Sequence, residues 1–135
     1  MIKVLLAEDD LDDRFFFRKA LAEMPIVTHL TCVFNGEQLM EHLAENAENF
    51  PDILFLDLSM PRKNGFECLS EIMENHKMQH LHVVMFSTSY TRDSNYEKAM
   101  IDMLIKIGAK DFIRKPTDFE QLKQVVYEVL VGLRK

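Results

Sequence analysis

The sequence predicts an α/β fold: a parallel sheet of five strands, each followed by a helix, with helices on both faces. Three observations support this. Short apolar runs alternate five times with longer amphipathic stretches along the 135 residues. The run Ile53–Leu56 is continuously apolar, as befits a strand covered from both sides. No repeat, linker or compositional break interrupts the alternation, and a strict strand–helix alternation implies right-handed parallel crossovers.

The elements follow in order. Strands are expected at Ile2–Ala7, His29–Phe34, Ile53–Leu56, His82–Phe86 and Asp111–Arg114. The helix over Asp12–Met24 is marked by the helically spaced stripe Phe17, Ala20, Leu21 and Met24, and Pro25 stops it. Phe16 is expected to share that burial, whereas Phe15 points to another face. Helices over Gly36–Asn46 and Gly65–His76 fill the next two intervals. Gly108 closes a helix over Asp93–Ile107. The last helix, Asp118–Leu133, carries the stripe Leu122, Val125, Val126, Val129 and Leu130, with Thr117 or Asp118 as N-cap.

Composition bounds the function. Sixteen basic against 22 acidic residues leave a net charge of −6. An acidic chain without a Lys/Arg cluster is a poor binder of phosphate backbones, so no direct nucleic-acid contact is expected. Apolar residues at 47% exclude a disordered or low-complexity chain. The apolar start MIKVLLA ends in acids and is far too short for a signal peptide or membrane span, which points to the cytoplasm. Cys32 and Cys68 stand in no Cys-x-x-Cys pair and read as reduced, half-buried thiols. The five histidines read as solvated or capping groups, since His80 and His82 lack helical ligand spacing. The nine methionines read as core filler, Met85, Met100 and Met103 among them.

In an open parallel sheet, ligands bind beyond the carboxyl ends of the strands. Those ends carry Glu8-Asp9-Asp10, Asp57, Ser87-Thr88-Ser89 and Lys115-Pro116. Carboxylates about 4 Å apart repel by ~4 kcal/mol at an effective dielectric near 20. Such a cluster needs a cation or a retained proton, and hard oxygen donors with open positions suit Mg²⁺. A carboxylate beside Mg²⁺ can accept a phosphoryl group, with the Ser87 hydroxyl and the Lys115 ammonium holding its oxygens. Each residue also has an ordinary reading. Asp12 and Asp13 complement a helix dipole, and Asp10 is equally well explained that way. Asp57 reads as a loop cap, Ser87 as a satisfied core hydroxyl, Lys115 as a surface lysine. Their conjunction at four strand ends is what favours a site.

The segments LLAEDD, FLDLSMPRKNG, VVMFSTS and GAKDFIRKP together resemble the receiver domain of two-component response regulators, the CheY-like family, over essentially the whole chain. The resemblance implies a flavodoxin-like sheet of order 2-1-3-4-5. It implies Asp57 as phosphoacceptor, accepting from a histidine kinase or phosphotransfer protein. It implies a Mg²⁺ site from Asp9, Glu8 through water, Asp57 and the Ser59 backbone carbonyl, leaving Asp10 out. It implies Ser87 and Phe112 as switch residues, Lys115 as the phosphoryl-holding lysine, and a cis peptide before Pro116. Phosphorylation would draw Ser87 inward, let Phe112 fill the vacated space and remodel the face of helix four, strand five and helix five for a protein target. The domain would also catalyse its own dephosphorylation and act on no other substrate. The first helix, with Phe15 and Leu11, would dock the phosphodonor.

Three features depart from the family pattern. The stretch from Ser87 to Lys115 is roughly one and a half helical turns longer than usual, within Ser89–Ile107. Ser59 and Ser89 are small at the two positions that modulate water access. Phe112 replaces the commoner tyrosine and cannot donate a hydrogen bond.

A phosphatase of the haloacid-dehalogenase type would need a second Asp where Ser59 stands, and no Gly-rich nucleotide loop is present. A phosphorelay intermediate or an unphosphorylated pseudo-receiver scaffold are the remaining alternatives. The chain is expected to be one receiver domain over 1–135 without an output domain.

Overall fold

A computed structural model describes residues 1–88 and 94–133. The elements run β1 (Ile2–Ala7), α1 (Leu11–Ala22), β2 (Thr28–Val33), α2 (Gly36–Glu45), β3 (Ile53–Leu56), α3 (Gly65–Glu74), β4 (Val83–Ser87), α4 (Ser94–Ile107), β5 (Asp111–Arg114) and α5 (Phe119–Leu133). The sheet is parallel throughout, in the order β2-β1-β3-β4-β5.

The apolar runs become strands because each side of the pleat meets its own layer of helices. Leu5, Ala7, Leu54, Leu56, Val83 and Met85 pack with Leu39, Leu43, Leu69, Ile72 and Leu104 of α2, α3 and α4. Val4, Leu6, Ile53, Phe55, Val84, Phe86 and Ile113 pack with Phe17, Ala20, Leu21, Leu122, Val126 and Leu130 of α1 and α5. Alternate residues of one strand thus fill two different cores. Phe17, Phe55 and Phe86 meet edge to face, with centroids 5.0–5.9 Å apart.

Helix ends are set by local chemistry. Asp10 caps α1 and accepts from the Asp13 N–H at 2.9 Å. Asn35 caps α2, Asn64 forms a full capping box with Glu67, and the Asp118 carboxylate accepts from the Glu120 N–H at 3.3 Å. Side-chain hydrogen bonds explain two of the shifts from the expected boundaries. β2 stops at Val33 because the Phe34 N–H turns to the Gln38 side chain, 2.7 Å away. α3 stops at Glu74 because the Asn75 side chain takes the N–H groups of Lys77 and Met78. Gly108, at φ +145° and packed against Met73, ends α4. Asp93, the expected start of that helix, and Ser89 lie outside the described residues.

Three burial expectations change. Phe16 is 43% exposed, lying edge-on to Phe15 rather than in the core, and Met103 is 44% exposed. A four-residue step places Phe17 and Leu21 inward and turns Phe16 toward the helix flank. Cys68 is fully buried rather than half-buried, and burial pushes its thiol up to about 12; Cys32 is partly exposed. Among the described residues, no helix is long and apolar enough to cross a membrane.

His82, at the foot of β4, supplies a pH-dependent element. Burial first, then the Lys110 ammonium, lower its pKa from the ordinary 6.5, against the pull of Asp111. The native state therefore binds fewer protons here than the unfolded chain. The contribution is intact above pH 6.5 and is lost as pH falls below it. Urea unfolding from about pH 7.5 to about 5.5 should show falling stability, and His82→Gln should reduce that slope; an unchanged slope would remove His82 as a cause.

Candidate functional site

The sheet ladder runs one residue past each strand that builds the rim. The Glu8 N–H bonds to the Val33 carbonyl at 3.0 Å, the Asp57 N–H to Ala7 at 3.0 Å and the Lys115 N–H to Ser87 at 2.9 Å. The pleat alternation therefore extends to these residues. Glu8 continues the Val4/Leu6 side, Asp57 the Ile53/Phe55 side and Lys115 the Ile113 side, all facing α1 and α5. Three chemically active side chains converge because they share one parity.

Glu8 and Asp57 are 1% and 4% exposed. One carboxylate oxygen from each of Glu8, Asp9 and Asp57 lies within 4.8 Å of the others, with Asp9 open to solvent. The Lys115 ammonium bonds to Glu8, accompanies Asp13 Oδ2 at 3.1 Å and stands 3.5 Å from Asp57 Oδ2. Its side chain is only 10% exposed, so the surface-lysine reading fails. Burial, and then the neighbouring Asp57, push the Glu8 carboxyl up to about 8 despite Lys115. Burial opposes the charge on Lys115, but the carboxylates outweigh it and raise its pKa. Burial beside a second carboxylate thus disfavours negative charge on Glu8, and a nearby cation would favour it. The donors are hard oxygens, and this fits Mg²⁺.

The surrounding loops hold these groups in place. Arg14 donates to the Glu8 carbonyl at 2.9 Å and stacks over Phe34 at 4.1 Å, pinning the β1–α1 loop. The Ser59 N–H donates to Asp57 Oδ1 at 3.3 Å. Beyond it, the Lys63 N–H reaches the Pro61 carbonyl at 2.8 Å around Arg62, whose φ of +70° marks a tight, strained turn. Gly65 then backs onto the site. A Cβ there would meet the Asp57 carbonyl oxygen at 2.3 Å.

Of the residues expected at the site, Glu8, Asp9, Asp57 and Lys115 come together. Ser87 is fully buried at the end of β4, and its hydroxyl donates to the Thr88 carbonyl at 3.3 Å. Phe112 is half-buried against the α2–α4 core, one strand away and in register with Met85. Asp10 serves as a helix cap, away from the ligand role. The peptide before Pro116 is trans, correcting the expected cis bond. Lys115 already reaches the acids in the trans form, which an X-Pro bond favours by about 0.5–1 kcal/mol. Asp13 was missed: its place in a first helical turn suggested only dipole complementarity, and nothing in its spacing announces Lys115. Between α1 and the β5–α5 loop, a cavity of about 370 Å³ opens beside Lys115, lined by Phe16, Phe86, Thr88, Pro116 and Phe119.

The family profile described as "Response regulator receiver domain" matches residues 4–127. The chain belongs to that family. It is 32% identical over 124 residues to the probable C4-dicarboxylate response regulator DctR of Bacillus subtilis, covering 92% of this chain and 50% of DctR. It is 30% identical over 132 residues to the 3′,5′-cyclic-nucleotide phosphodiesterase regA of Dictyostelium discoideum, covering 98% of this chain and 16% of regA. This chain thus spans half or less of these relatives. Among solved structures, the phosphorylated cyanobacterial phytochrome response regulator RcpA superposes with a TM-score of 0.78 at 29% identity, covering 95% of this receiver and 90% of RcpA. The Mn²⁺-bound response regulator Rcp1 shares the fold at a TM-score of 0.80 and 24% identity, covering 96% and 91%.

Gly65→Ala should push the Asp57 backbone off its position in this receiver. Urea unfolding is expected to show a loss of about 1–3 kcal/mol, and wild-type stability would mean that the loop yields freely.

Proposed function

We propose that this receiver is a phosphorylation-operated switch that carries a phosphoryl group on Asp57. The observation carrying this reading is a buried Asp57 with an ammonium at 3.5 Å and two further carboxylates whose oxygens lie within 4.8 Å. Asp9 and Asp57 would hold Mg²⁺ directly, with Glu8 acting through water and the Ser59 carbonyl completing the set. When bound, the ion supplies charge neutralisation for the transferring phosphoryl oxygens.

An Asp57 oxygen attacks the phosphorus of a phosphohistidine. The new O–P bond forms as the P–N bond breaks, and the electron pair leaves on the imidazole. Lys115 holds one phosphoryl oxygen through its N–H groups. Hydrolysis reverses the modification: water attacks phosphorus, and the Asp57 carboxylate and inorganic phosphate are released. The Ser87 hydroxyl exchanges the Thr88 carbonyl for a phosphoryl oxygen. Phe112 then turns inward, and the α4–β5–α5 face changes for a downstream protein.

The phosphodonor, a sensor histidine kinase or a histidine phosphotransfer protein, docks over α1. Leu11 and Phe15 support this, being 71% and 60% exposed beside the rim. The net charge of −6 supports a protein target over nucleic acid for this chain.

Incubation with a phosphodonor and Mg²⁺ should add one hydroxylamine-sensitive phosphoryl group, read by mass spectrometry. Asp57→Asn should abolish it, and Lys115→Met should slow it about a hundredfold. Unchanged labelling of Asp57→Asn would overturn the assignment. Mg²⁺ titration in the absence of donor should saturate, and Asp9→Asn should weaken binding by at least about tenfold; equal affinity would remove Asp9 from the metal site.

A further inference from the structure

Lys115 does not serve Asp57 alone. Its ammonium has three N–H donors. One goes to Glu8 and one to Asp13 Oδ2 at 3.1 Å, while Asp57 Oδ2 stands farther off at 3.5 Å. The ammonium is therefore held toward α1, short of a firm hydrogen bond to the phosphoacceptor. Asp13 is itself well fixed. It occupies the first turn of α1, and its backbone N–H is tied to the Asp10 cap at 2.9 Å.

We propose that Asp13 is a positioning residue that acts through Lys115, competing with the phosphoryl group on Asp57 for the same ammonium. This rests on the phosphoacceptor reading of Asp57 and deepens it. The two acids bonded to Lys115 differ in what release costs them. Glu8 is buried beside Asp57 and can keep its bond as the ammonium moves toward Asp57. The Asp13 side chain is 43% exposed and borders the cavity beside Lys115, so water takes over its hydrogen bond on release. Asp13 is thus the bond that yields when phosphoryl oxygens arrive. Its negative charge also opposes an incoming anion, so both effects act in the same direction. Asp13 sets how tightly the phosphorylated form is held.

The test uses beryllofluoride, a phosphoryl analogue, titrated calorimetrically into the full chain at saturating Mg²⁺. Asp13→Asn keeps the side chain's shape and a neutral acceptor but removes the charge. It should bind beryllofluoride about three- to tenfold more tightly than wild type, the range for a partly exposed ion pair. Asp13→Glu restores the charge and should return affinity to within about twofold of wild type. Mg²⁺ titrated alone should bind Asp13→Asn no more tightly than wild type, because a lost negative charge cannot favour a cation. A merely structural role for Asp13 would weaken both ligands together. Beryllofluoride binding to Asp13→Asn that is equal to or weaker than wild type overturns the proposal while leaving Asp57 in place. Failure of the wild type to bind beryllofluoride at all overturns the phosphoacceptor reading and this inference with it.

Discussion

The organisation of this receiver depends on an imbalance of charge at the end of its sheet. Glu8, Asp13 and Asp57 gather around the ammonium of Lys115, Asp9 lies beside Glu8 and Asp57, and Glu8 and Asp57 are almost wholly out of water. Carboxylates at such spacing repel by several kcal/mol in a protein interior, and one lysine does not offset them. Burial and the neighbouring Asp57 accordingly raise the pKa of the Glu8 carboxyl.

Holding like charges together requires a scaffold that does not relax away from them. Here it is the backbone. Glu8, Asp57 and Lys115 are each tied into the ladder of the neighbouring strand, so none of the three can withdraw without breaking a sheet hydrogen bond. Arg14 fixes the β1–α1 loop from one side, and the strained turn at Arg62 with the close approach of Gly65 fixes the β3–α3 loop from the other. Local strain beside the buried Asp57 is stabilised by the two packed cores beneath it.

The pleat sorts the residues of the rim onto two sides of the sheet. Glu8, Asp57 and Lys115 face α1 and α5, whereas Ser87 continues the parity of Met85 toward the α2–α4 layer, where Phe112 also packs. Arg114 has the parity of Phe112 and lies on that second side. It lies opposite Ser87 in the ladder, and its guanidinium pairs with the buried Glu97 of α4. Arg114 thus links the end of β4 to α4.

The strands and helices were legible in the sequence because their causes are local: continuous apolar runs, helically spaced stripes, and proline and glycine at the ends. Capping side chains moved several boundaries by one or two residues, since Asn75 and Gln38 declare their partners only once the chain has turned. Asp57, Asp9 and Lys115 were legible because strand ends in a parallel sheet point to one rim, and because their motifs match a family. The sequence could not determine which neighbour each charge would choose. Asp13 reads as an ordinary first-turn acid, and Lys115 lies 102 residues away. Only the packing of α1 against α5 brings them to 3.1 Å. The trans peptide before Pro116 and the outward turn of Phe16 were likewise decided in three dimensions. Periodicity and composition act over a few residues, whereas the partner of a charge is set by contacts between segments far apart in the chain.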